Sequence, residues 1–434
     1  MPSTGGAQDN GGNTNTGTGG VQSTGGAKAA SGSPNTGGKQ NTGGEKATGG
    51  TSAGGSEATG GATSTGGAKV TGGNDATGGA ASLTITEIAP GADHTCAVIG
   101  GRVRCWGYNT YGQLGSNRGT ASSFPIDVVG LPSLATHIAV GAGHSCALLV
   151  GGAVYCWGLN ASGQLGDASS EHANSTVAVQ AVGLTSDVKE ISLNSQQSCA
   201  LVNGTVQCWG SSYDYEDKSH QPPTNSTLPV PVPGTAGVTA VAAGAYHVCV
   251  LVSGSVQCWG YNVHGQLGNN TTAFGAFPVQ VEGLTSGVTA ITGGATHACA
   301  LMNGAAHCWG GNSFGELGND SDLDSPTPVQ VKGLTTGVTA IAANNANTCA
   351  LMNGGVYCWG YNESGQLGNG STAISRDPVQ VQGLTAGFRA VSTGYFHACA
   401  LKDNTAYCWG YNFYGQLGNN TTQDSLVPVR VQLP

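Results

Sequence analysis

The stretch Cys199-Ala200-Leu201-Val202-Asn203-Gly204-Thr205-Val206-Gln207-Cys208-Trp209-Gly210 decides the fold. Asn203-Gly204 is the strongest short signal for a hairpin closed by a two-residue type I′ turn. Counting outward from the turn sets Val202 opposite Thr205, Leu201 opposite Val206, Ala200 opposite Gln207 and Cys199 opposite Cys208. The closing pair is hydrogen-bonded and the pairs then alternate, so the two cysteines form a non-hydrogen-bonded pair with Cα atoms about 4.5 Å apart. A disulfide tolerates that separation.

Versions of this stretch recur seven times. The second cysteine of each is followed at once by one of the seven tryptophans, Trp106, Trp157, Trp209, Trp259, Trp309, Trp359 and Trp409, at intervals of 50 to 52 residues. A period near fifty marks a repeat architecture. The turn register is kept throughout: Gly100-Gly101 centres Cys96 and Cys105, Ser253-Gly254 centres Cys249 and Cys258, and Asn303-Gly304 centres Cys299 and Cys308. Asn353-Gly354 does the same for Cys349 and Cys358, and Asp403-Asn404 for Cys399 and Cys408. The second unit is one residue longer, and a Val150-Gly151-Gly152 loop still brings Cys146 opposite Cys156. Zinc sites favour cysteines two to four residues apart, unlike these, so no metal is expected. Reduced, buried thiols stand as the alternative to disulfides. Disulfides persist in oxidising compartments, so the paired reading places the domain outside the cytoplasm, extracellular or at a cell surface.

Around each hairpin the units read alike. A short apolar stretch such as Val288-Thr289-Ala290-Ile291 leads to a glycine-rich corner, and the hairpin follows. Next comes a loop typified by Gly260-Tyr261-Asn262-Val263-His264-Gly265-Gln266-Leu267-Gly268, then a proline-led strand such as Pro278-Val279-Gln280-Val281. The alternation, the closely spaced turn signals and the lack of any helical period give four short strands per unit. The fold class is therefore all-β, a seven-bladed β-propeller of four-stranded blades over residues 83–434. If the proline-led strand belongs to the following blade, Pro428-Val429-Arg430-Val431 completes the blade begun by Ile85-Thr86-Glu87-Ile88 and clasps the ring shut.

Residues 1–82 repeat Thr-Gly-Gly with Ala, Ser and Asn between, too little apolar surface to offset ordering entropy, and read as a disordered linker. There Lys28, Lys39, Lys46 and Lys69 balance Asp9, Glu45, Glu57 and Asp75, so the net charge of −9 falls on the repeats. That argues against a nucleic-acid partner, which needs clustered positive charge. Neither a secretory signal nor a transmembrane-length apolar run opens the chain. The tract resembles the Thr-Gly-Gly linkers that tether exported domains to the cell surface in myxobacteria, and we expect a start upstream of Met1, with a possible lipid tether there.

The Gly-x-x-His-x-Cys-Ala-Leu, Val-x-Cys-Trp-Gly-Tyr-Asn and Gly-Gln-Leu-Gly stretches resemble the repeat of the regulator of chromosome condensation, over all seven units from Leu83 to Pro434. The resemblance implies a seven-bladed propeller. Nuclear members usually lack the paired cysteines and use basic or chromatin-directed features absent here, so their guanine-nucleotide exchange activity is a disfavoured alternative. A secreted bacterial propeller that inhibits β-lactamases is also similar in architecture, which makes a secreted enzyme inhibitor the sharper alternative.

Candidate sites are few. His94, His144, His247, His297 and His397 recur two residues before the first cysteine, with Gln197 and Asn347 in the other units. Gln and Asn replace His as hydrogen-bond formers, so bonding to the corner backbone is expected. Asp320-Ser321-Asp322-Leu323-Asp324 alternates carboxylates like a calcium loop but has Ser325 and Val331 where Gly and Glu belong, and reads as a solvated loop. The third unit breaks the loop pattern with Ser211-Ser212-Tyr213-Asp214-Tyr215-Glu216-Asp217-Lys218-Ser219-His220. Tyrosine-rich, mixed-charge loops on rigid scaffolds are typical binding surfaces, so Tyr213, Asp214, Tyr215, Glu216, Asp217, Lys218 and His220 are the partner-binding candidates, beside the alternative of sequence drift. With the cysteines committed to pairing, no nucleophile–base arrangement stands out. The expectation is a monomeric, non-catalytic module that needs no cofactor and binds a protein or other cell-surface macromolecule.

Overall fold

In the computed structural model, which describes residues 84–211 and 225–433, every cysteine hairpin forms in the register its turn dictates. Asn203 and Gly204 take φ of 49° and 78°, both positive as the type I′ turn requires. All fourteen cysteines are bonded, Cys96–Cys105, Cys146–Cys156, Cys199–Cys208, Cys249–Cys258, Cys299–Cys308, Cys349–Cys358 and Cys399–Cys408, with Cα atoms 4.0 to 4.1 Å apart. The expected linker at 1–82 and the candidates Tyr213 to His220 lie outside the described residues.

The hairpin supplies the middle two strands of a four-stranded antiparallel blade. In blade 1 the strands are Ile85–Pro90, His94–Ile99, Arg102–Gly107 and Ser122–Asp127, paired in chain order. Six more sheets of the same order follow, ending with blade 7, Ala390–Thr393, His397–Lys402, Thr405–Gly410 and Ser425–Arg430. The chain is thus a seven-bladed β-propeller, and no helix occurs among the described residues. The first strands face the axis, where Val140, Leu193, Ala243, Asn344 and Tyr395 line the end of a narrow channel.

Each fourth strand lies on the outer edge of its own blade, which corrects the clasp: Ser425–Arg430 pairs with Thr405–Gly410, not with blade 1. The loop asparagine explains why. Asn262 Oδ1 accepts the Leu267 N–H at 2.8 Å, and its Nδ2 donates to the carbonyls of Thr271 at 3.0 Å and Ala273 at 2.9 Å. Stapled in this way, the loop returns the chain beside the third strand, as Gly260 opposite Gly275 records. An outer edge also tolerates the missing N–H of Pro278, Pro328, Pro378 and Pro428.

Apolar burial lies between blades. Trp157 of blade 2 packs on Val98, Val103 and Leu114 of blade 1, with Cys96 and Cys105 in the same cluster. At the seam where the ring closes, Trp106 meets Leu401, Leu417 and Val431 in the same manner. Closure is noncovalent and uses the contacts of every other interface.

Candidate binding surface

The recurrent polar residues hold neighbouring blades in register. Trp157 Nε1 donates to the Gln113 carbonyl of blade 1 at 2.9 Å, and Ser145 Oγ donates to the same carbonyl at 3.2 Å. Because that hydroxyl donates its proton, it accepts from His94 Nε2 of blade 1 at 2.9 Å, which fixes the neutral ring as the Nε2–H tautomer. The set repeats as His144 to Ser198 at 2.9 Å and His297 to Thr348 at 2.9 Å. It closes the ring as His397 to Thr95 at 2.7 Å, with Thr95 and Trp106 both on the Gln416 carbonyl. Burial holds His94, His144, His297 and His397 down to about 3 and His247 to about 4, so all are neutral at physiological pH. Where the next blade offers Val248 or Ala398 instead of a hydroxyl, the histidine is replaced by Gln197 or Asn347. His247 is the exception: it faces blade 5, which has Ala298, and neither ring nitrogen has a partner.

These constraints leave the outward side chains of the loops free to vary. The connections between first and second and between third and fourth strands emerge on one face, where aromatic rings form a chain. Tyr395 and Phe396 lie 6.3 Å apart between centroids, Phe396 meets Tyr411 at 6.2 Å, and Tyr411 meets Phe413 and Tyr414 at 6.4 Å each. Phe413 stands on Tyr414 edge to face at 5.0 Å, and Tyr414 reaches Tyr108 of blade 1 at 4.5 Å across the seam. Tyr111 extends the chain at 6.0 Å. Phe413 is 64% and Tyr111 39% exposed. At the inner end, Tyr395 OH meets Ser195 Oγ of blade 3 at 2.5 Å, bridging the channel mouth.

A family model described as the RCC1-like domain matches residues 133–434, and models of the regulator of chromosome condensation (RCC1) repeat match 100–148 and 85–113. The chain belongs to the RCC1-like domain family. The human probable E3 ubiquitin-protein ligase HERC4 is 35% identical over 91 residues, covering 20% of this chain and 8% of the ligase. The ultraviolet-B receptor UVR8 of Arabidopsis thaliana is 30% identical over 131 residues, 29% of each chain. The chain thus spans under a third of either relative's length. Among solved structures, Prp20p of Saccharomyces cerevisiae, described with its binding to Gsp1p and histones, superposes with a TM-score of 0.66 at 22% identity, covering 81% of this chain and 88% of Prp20p. Human WBSCR16 gives 0.66 at 22% identity, covering 77% and 94%. These similarities establish the fold.

In this RCC1-like domain the histidines bond to the next blade's hydroxyl and not, as the sequence reading had it, to the corner backbone. The ring packs against the corner without bonding to it: a Cβ on Gly141 would stand 2.3 Å from the Asn194 carbonyl oxygen and 2.5 Å from His144 Cε1. The acids of the calcium-like loop diverge. Asp320 pairs with Lys332 at 2.8 Å, Asp322 with Arg376 at 2.6 Å and Asp324 with His264 at 2.7 Å. Among the described residues no three His, Cys, Asp or Glu side chains converge as a metal site.

Two features escaped the sequence reading. Glu87 and His137 occupy a first-strand position that is alanine in blades 4 to 7; Glu87 Oε1 lies 2.5 Å from His137 Nδ1, and His137 Nε2 lies 3.1 Å from the Ile191 carbonyl. Glu316 stands where other units have Gln. Its Oε2 accepts the Phe314 N–H at 2.8 Å, and burial pushes its carboxyl up to about 7.

Proposed function

We propose that this RCC1-like domain is a non-catalytic, exported module that binds a protein or other macromolecular partner through the loops of its aromatic face, with residues 1–82 as its tether. The observation that carries the reading is the run of partly exposed rings from Tyr395 to Tyr111, because aromatic anchors on rigid elements are the usual energetic centre of an interface. We further propose that Tyr213, Asp214, Tyr215, Glu216, Asp217, Lys218 and His220, which lie outside the described residues, take part in partner binding. The seven disulfides support an oxidising compartment. The five latch histidines, buried and neutral, are poorly placed for general-base chemistry.

A photo-crosslinking residue placed at Phe413 in the natively expressed protein should capture a defined partner that the same residue at Val150, exposed on the opposite face, does not. Equal capture at both positions, or none at Phe413, overturns the reading. Thiol counting by mass spectrometry on the same material should find no free cysteine. Seven free pairs would overturn export.

A further inference from the structure

Acidic residues are concentrated in the connections of the aromatic face. In the described connections of the aromatic face, nine Asp or Glu stand against one Lys or Arg, Arg118; on the opposite face the connections carry three acids and two bases. The acids of blade 5 are partly matched by Lys332 and Arg376. Asp93 and Asp424, which flank the aromatic run at the seam, form no ion pair among the described residues. Asp424 spends one oxygen on the Asn412 N–H at 2.7 Å. Both act on the Tyr411 hydroxyl, whose ionisation burial, Tyr414, Asp93 and Asp424 all oppose. Burial raises Asp93 itself, as it does any carboxylate without a cation beside it.

Ring faces carry negative potential and attract guanidinium and ammonium groups, the more so beside an unmatched carboxylate. Resting on the binding reading above, we infer that the seam patch of Tyr108, Tyr411, Phe413 and Tyr414 with Asp93 and Asp424 receives arginine or lysine side chains from a basic protein segment. The tilted Tyr108–Tyr414 pair and the edge-to-face Phe413–Tyr414 pair present rings at different angles, walls for an inserted side chain. A neutral sugar would use the same rings and gain nothing from Asp93 and Asp424, which no cation matches among the described residues.

The probe is a fluorescein-labelled peptide of alternating Gly and Arg, compared with the isosteric peptide carrying citrulline for arginine, titrated by fluorescence anisotropy at 50 and 300 mM salt. The arginine peptide should bind at least about tenfold more tightly than the citrulline peptide, and its affinity should fall as salt rises. Phe413→Ala and Tyr414→Ala should each cost about tenfold, the loss typical of a truncated anchor. Asp93→Asn should weaken binding and flatten the salt dependence, with the melting temperature checking that each variant is folded. Asp187→Asn on the opposite face should change nothing; an equal loss there would mean that net charge alone attracts the peptide, and the inference fails. Equal binding of the two peptides, or a partner crosslinked at Phe413 beside an arginine peptide that does not bind, overturns the basic ligand while the binding reading stands. Absence of both removes the two together.

Discussion

Ala298→Ser should stabilise the protein, although it places a polar atom in a fully buried position. The latch between blades 4 and 5 lacks its hydroxyl, so His247 Nε2–H is buried without an acceptor, a cost of about 1–3 kcal/mol. The Gln266 carbonyl, which already accepts Trp309 Nε1 at 2.9 Å, stands where Glu316 receives Thr348 Oγ1 at 3.1 Å one interface on. Serine adds a single oxygen to Ala298, and Ser145 and Ser198 already occupy equivalent sites. Two new hydrogen bonds, less the cost of burying the hydroxyl, should yield about 1–2 kcal/mol. Guanidinium denaturation under non-reducing conditions, followed by tryptophan fluorescence, measures the gain. The same substitution in a His247→Leu background isolates the pair, because the donor is then absent. An unchanged or lowered midpoint with His247 in place, or an equal gain without it, would refute the latch.

Acid should unfold the protein steeply. The five latch histidines titrate near 3 to 4 when folded and near 6.5 when unfolded, so below about pH 6.5 the unfolded chain binds the extra protons and stability drops. At about 1.4 kcal/mol per histidine, the loss approaches about 7 kcal/mol per pH unit, read as the change in midpoint between pH 6 and 5. Glu316→Gln should act in the opposite range. The raised carboxyl loses stability as pH climbs from the unfolded value of 4.5 through about 7, so glutamine should gain about 2–3 kcal/mol at pH 8 and little at pH 4.5, measured by the same denaturation at both. Replacing Cys399 and Cys408 together by alanine should cost about 3 kcal/mol from the ten-residue loop alone, and more from lost packing, in a thermal melt.

The hairpins were legible because their information is local: two turn residues set the register, and the register sets the disulfide. The tryptophans were legible as scaffold because they repeat. The histidine partners were not, since each lies on the next blade and Thr95 meets His397 only when the ring closes. The correlation was present as His beside a following Ser or Thr, and Gln197 or Asn347 beside Val248 or Ala398, but it requires knowing which faces touch. The seam patch was hidden for the same reason, Tyr108 and Tyr414 standing at opposite ends of the repeat array. The clasp failed because the proline-led strand was read without the asparagine staple that returns it to its own blade.

The latch gives blades 1, 2, 5 and 7 a histidine that suits one neighbour. Blade 2 presents His144 and expects a hydroxyl; blade 3 presents Ser198, and blade 4 carries Val248 at the equivalent position. Repeats this similar in sequence invite unequal recombination, which adds or removes whole blades. Loss of blade 3 would set His144 against Val248, a buried donor facing a methyl group, at a cost of about 1–3 kcal/mol. Small mismatches of this kind penalise reshuffled rings while leaving every blade able to fold, so the order of the blades is itself inscribed in the interfaces.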